Sequence, residues 1–192
     1  MTVTPGAFAR LALIALLAVI LQLSALGPDR LFGGRPDLVV LAVAAVAIYA
    51  GSFPGAAMGF CTGFLLDLAV GGTMGVSSLV LSAVGYAVGR YREVRDPAHG
   101  LLPIPVGALA TLGWVTAFAA VSFMLDVGAS VSPLVLRDML VTIALNTVIA
   151  VPVFALCRRL LRPALRVDPL DLRRKRQPPR ESGPLGLRGL EI

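Results

Sequence analysis

The chain has 192 residues, of which 57% are hydrophobic and only 15% charged, with a formal net charge of +6. Such a composition excludes an ordinary soluble domain and fits an integral membrane protein. Up to residue 160 no polar stretch is long enough to form a separate extramembrane domain, so one helical membrane domain with a short tail is expected.

The first apolar run, residues 8–26, is longer than the core of a signal peptide and lacks a small-x-small cleavage pair, so it reads as a retained span. Gln22 is its one strongly polar residue and is expected to bond a neighbouring helix or to sit near the interface. A loop rich in glycine and arginine follows, and Pro36 and Asp37 then open a second helix. Proline suits a first helical turn, and an acid there complements the positive end of the helix dipole.

Residues 36–70 as one helix would be about 50 Å long, well beyond a ~30 Å hydrocarbon core. Two short helices turning at Ser52 to Pro54 are therefore expected, over residues 36–51 and 54–70. In the second of these, Gly55, Gly59 and Gly63 are spaced four apart, and Asp67 stands at the next step. That spacing puts all four on one helix face. The glycines offer a surface against which another helix can pack closely, and the acid must face protein or a wet cavity rather than lipid. Further spans are expected over residues 75–90, 101–125 and 133–161, with Gly85 and Gly89 again four apart.

The predicted fold is thus an all-α membrane domain of six transmembrane helices over residues 1–162. Basic residues orient it. With both termini cytoplasmic, the inside holds Arg10, Arg90, Arg92, Arg95 and the arginine-rich tail, and the outside only Arg30, Arg35 and Arg137. That asymmetry follows the positive-inside rule and requires an even number of spans. Asp37, Asp67, Asp126, Asp138, Arg35 and Arg137 are then gathered in the outer half or at the outer surface. Asp67 alone looks embedded, and two readings of it stand: an ion pair with Arg35 or Arg137, or an interfacial acid that ends the packing face of its helix.

Residues 163–192 change character, with repeated prolines and the basic run Arg173, Arg174, Lys175 and Arg176. This tail has too little apolar surface to fold alone and is expected to lie on anionic lipid. Nucleic-acid binding is not indicated, since aromatic interleaving is missing. Cys61 and Cys157 lie in or beside apolar runs and read as packing residues, and His99 has no cysteine or histidine near it in sequence, so neither a metal site nor a cofactor is expected. Phosphate loops, nucleophile elbows and zinc-protease motifs are missing as well, and the expectation is a protein without chemistry of its own.

Several of these residues in order carry a resemblance: Arg35-Pro36-Asp37 before an aliphatic run, Pro54, the glycine series ending in Leu65-Leu66-Asp67-Leu68, Gly71-Gly72 with Gly75, then Val84-Gly85-Tyr86 with Gly89-Arg90. Together they resemble the rod shape-determining protein MreD family, most clearly from Arg35 to about Arg92. The resemblance implies a non-enzymatic inner-membrane scaffold of the bacterial elongation machinery. Its implied partners are the bitopic protein MreC, the peptidoglycan glycosyltransferase and a class B penicillin-binding protein. It also implies a fold like the substrate-binding subunits of energy-coupling factor vitamin transporters, which supplies a rival function. Those subunits tend to offer an Ala-x-x-x-Ala contact on their first helix, whereas Ala12, Ala15 and Ala18 here fall three apart. The tail is longer and more basic than the fold needs. On the scaffold reading, an outer polar cleft formed by Asp37, Asp67 and Arg137, with Arg35 near it, accepts the partner's membrane helix or the segment just outside it.

Overall fold

The computed structural model describes residues 5–25, 34–71, 73–94, 103–125 and 133–161. Arg30, Gly72, Arg95, His99, Asp126 and the tail with Arg173, Arg174, Lys175 and Arg176 lie outside the described residues. Among those described, the chain forms six helices: α1 (Pro5–Ala25), α2 (Leu38–Ala50), α3 (Ser52–Val70), α4 (Val76–Val94), α5 (Pro103–Met124) and α6 (Pro133–Leu161).

The shortest helix is the centre. Every residue of α2 from Val39 to Ile48 is buried, as expected of a helix that is apolar on all sides. The other five helices all pack on α2, and around it α1 touches α3, α3 touches α4, α4 touches α5, α5 touches α6 and α6 returns to α1. With 13 residues, α2 is about 20 Å long, shorter than each helix around it.

The turn between α2 and α3 lies one residue earlier than expected. Gly51 alone breaks the helix, with φ 107° and ψ −178°, a region that residues with a Cβ scarcely enter. Ser52 and Pro54 belong to the first turn of α3, where a missing N–H costs no helical hydrogen bond. The last turn of α4 closes this corner. Arg92 Nη1 donates to the Tyr49 carbonyl at 2.7 Å, and Glu93 Oε1 accepts from the Ser52 amide at 3.0 Å and its hydroxyl at 2.6 Å.

Along α3, Gly55, Gly59, Gly63 and Asp67 are all buried, and α4 runs against them. A Cβ on Gly63 would stand 2.5 Å from Ser78 Cα, and one on Gly55 2.5 Å from the Ala47 Cβ and 2.8 Å from the Gly85 carbonyl. Gly85 and Gly89 of α4 are equally close to the backbone of Gly55 and Ser52. Side chains larger than hydrogen would separate two helices that meet backbone to backbone. Midway along the seam the Ser82 hydroxyl donates to the Ala56 carbonyl at 2.8 Å.

Among the described residues three segments, Ser52–Val70, Pro103–Met124 and Leu136–Leu161, are long and apolar enough to cross a membrane, while the apolar parts of α1 and α2, Phe8–Ser24 and Leu38–Ala50, are shorter. Large apolar side chains cover the exterior: Met124 is 83% exposed, Phe53 79% and Val148 74%. A continuous apolar exterior of this kind fits lipid rather than water.

Candidate functional site

The polar side chains of this apolar chain converge on the end of the bundle where α2 begins. Asp37 is the N-cap of α2, and its Oδ1 accepts from the Val40 amide at 3.4 Å. Three neighbouring helices hold the same turn. From α1, Gln22 accepts from the Leu38 amide at 2.7 Å and donates to the Pro36 carbonyl at 3.1 Å. From α6, Asn146 accepts from the Asp37 amide at 2.8 Å, and its Nδ2 donates to the Asp37 carbonyl at 3.4 Å and to Thr111 Oγ1 of α5 at 3.0 Å. Thr142, one turn earlier on α6, accepts from the Arg35 amide at 3.1 Å. In a medium without water these bonds satisfy backbone groups that the end of a helix leaves open.

Asp67, only 5% exposed, does the same for α4. Its carboxylate accepts from the Gly75 amide at 2.8 Å, the Ser77 amide at 3.3 Å and the Ser78 hydroxyl at 3.5 Å. The turn that allows this needs glycine twice: Gly71 ends α3 at φ 70° and Gly75 precedes α4 at φ 97°. Asp67 therefore ties the end of α3 to the start of α4. Of the two readings of Asp67, the ion pair with Arg35 or Arg137 is not formed among the described residues: the hydrogen bonds of its carboxylate run to the start of α4.

Between these two capped turns lies a cavity of about 630 Å³, lined by Gln22, Arg35, Asp37, Asp67, Ser77, Trp114, Phe118 and Ser122 together with apolar side chains such as Leu23, Leu66 and Val70. It occupies the space that the short central helix leaves between its longer neighbours. Trp114 stands beside Asp37 and packs on Phe118 with ring centroids 5.1 Å apart. Arg35, Asp37 and Asp67 share the cavity, and Arg137 is not part of its lining. Arg137 is nine residues before Asn146 on α6, half a revolution round the helix, and its side chain is exposed.

Asn146, Thr111, Thr142 and Trp114 were not singled out from the sequence. The signal for Asn146 was present: an amide in the middle of an apolar helix demands a partner for the same reason as Asp67. Among the described residues no buried side-chain nitrogen or oxygen lacks a hydrogen-bond partner. No group of three His, Cys, Asp or Glu residues there is placed to hold a metal ion. Both cavity carboxylates cap helices.

A family model described as rod shape-determining protein MreD matches residues 4–160. No curated protein and no solved structure matches the chain. The match spans all six helices, including the glycine-packed α3 and α4 and both capped turns of the cavity. The chain belongs to the MreD family of membrane proteins, whose role is the determination of rod shape.

Proposed function

We propose that this protein is a non-enzymatic scaffold of the cell-wall elongation machinery in the bacterial cytoplasmic membrane, serving peptidoglycan synthesis through its partners. All six helices cross the bilayer, both termini are cytoplasmic, and the cavity opens to the outside. The fold is that of the substrate-binding subunits of energy-coupling factor transporters, put to a different use. A bitopic protein of the MreC type docks at the outer end and links the scaffold to a peptidoglycan glycosyltransferase and a class B penicillin-binding protein. Arg173, Arg174, Lys175 and Arg176 lie against anionic lipid on the inner side.

One observation carries this reading. The polar side chains around the cavity hold the ends of helices in place, which supports a rigid docking site. Short, fully bonded helix ends are what a protein needs if it is to present one fixed surface to a partner.

Affinity purification of the full chain from native membrane, with identification of bound proteins and small molecules, tests the proposal. A bitopic partner with wall synthases is the expected catch. A stoichiometric vitamin in place of those proteins would overturn it in favour of a transporter subunit.

A further inference from the structure

Resting on that reading, we infer that the cavity beyond α2 receives a basic side chain, lysine or arginine, carried on an apolar segment of the bitopic partner. The shape of the cavity follows from the short α2, and its chemistry is asymmetric. Two carboxylates, Asp37 and Asp67, line it against one cation, Arg35, whose side chain is exposed. The helix end that forms its floor offers no anion site, because the Leu38 amide is taken by Gln22 and the Val40 amide by Asp37. An incoming anion would meet acceptors, whereas a cation meets complementary charge.

The acids retain capacity for such a guest. A carboxylate has roughly four lone-pair sites, and the bonds of Asp67 come from three donors. Trp114 lies beside Asp37 with its indole N–H as donor, and with Phe118 packed on it lines the same cavity; carboxylates and aromatic rings together suit guanidinium and ammonium groups. Leu66, Val70 and Leu125 give the stem and its neighbours apolar contact. The cavity is lined by residues of α1, α3, α4 and α5 and of the turn before α2.

Ser122 lines the cavity, is half-buried and takes no part in capping, so its charge variants probe the guest without loosening a helix end. Ser122→Arg and Ser122→Glu are expressed in the native host as the full chain, and partner capture is compared at equal folded yield. Capture is expected to fall at least about tenfold with arginine, the scale of a like-charge contact, and to stay at or above the unmodified level with glutamate. A photoreactive benzoylphenylalanine at Phe118 is expected to cross-link an apolar stretch of the partner within a residue or two of a lysine or arginine. Equal loss with both charges, no loss with either, or a cross-link to phospholipid would overturn the inference while the scaffold reading stands. Failure of the unmodified chain to capture any bitopic protein would overturn the scaffold reading, and this inference with it.

Discussion

Asp67 illustrates how an acid can be accommodated among apolar helices without an ion pair. Its three donors are the Gly75 and Ser77 amides and the Ser78 hydroxyl, so removing the carboxylate strands the first turn of α4. Asp67→Ala is expected to cost about 1–2 kcal/mol, read as a lower melting temperature in detergent, with Asp67→Asn closer to the unmodified protein. At the other end of α4, in its exposed last turn, Glu93 is held by a different set of bonds. The Ser52 hydroxyl and amide, and then Arg90, pull its carboxyl down from 4.5 to about 2. A carboxylate depressed in the folded state contributes stability above its unfolded value and loses that contribution as pH falls through its folded value. The melting difference between the unmodified protein and Glu93→Gln should therefore be present at neutral pH and fade as pH is lowered from 4.5 toward about 2. The difference should be small, because the side chain is exposed and screened.

At the scale of elements, the molecule rests on two devices, the glycine seam of α3 with α4 and the bonded start of α2. The spacing of Gly55, Gly59 and Gly63 makes one face legible from sequence, but not which helix covers it. Leu81 and Ser82 decide that, since a Cβ on Gly59 would lie 2.8 Å from the Ser82 nitrogen and nearer still to the Leu81 carbonyl. Gly59→Leu is expected to cost on the order of 3 kcal/mol and to show as loss of monodisperse protein after extraction. The start of α2 depends on Asn146 in the same way. Asn146→Leu leaves the Asp37 amide without its acceptor, at about 1–3 kcal/mol, and removes the donor to Thr111 Oγ1, which keeps its bond to the Gly107 carbonyl. Hydrogen exchange at the Asp37 amide should accelerate while exchange in α3 is unchanged. Neither the role of Asn146 nor its bond to Thr111 is readable from spacing, because the residues are 35 positions apart and only packing of α5 on α6 joins them.

For the whole molecule, the orientation in the membrane can be tested directly. In a background with Cys61→Ala and Cys157→Ala, Arg137→Cys should react with an impermeant maleimide in intact cells, and Arg90→Cys only after lysis. The reverse pattern would place the cavity on the inside and remove the proposed docking site from the wall synthases. The same experiment separates charge from geometry. Arg137 belongs to the outer set by the positive-inside count, yet it faces away from the cavity that Arg35, Asp37 and Asp67 share.

By itself, the sequence determined the solvent, the helical class, the family and the glycine face. Apolar runs, breakers and four-residue spacing are local properties, and each acts within one helix. Only the tertiary structure decided that α2 is the hub, that Asp67 bonds α4 rather than an arginine, and that the space beyond α2 is a cavity. These outcomes depend on which of several apolar faces meet, and faces of similar hydrophobicity are distinguished only when backbone approach, helix length and the partners of Gln22, Thr111, Thr142 and Asn146 are satisfied together.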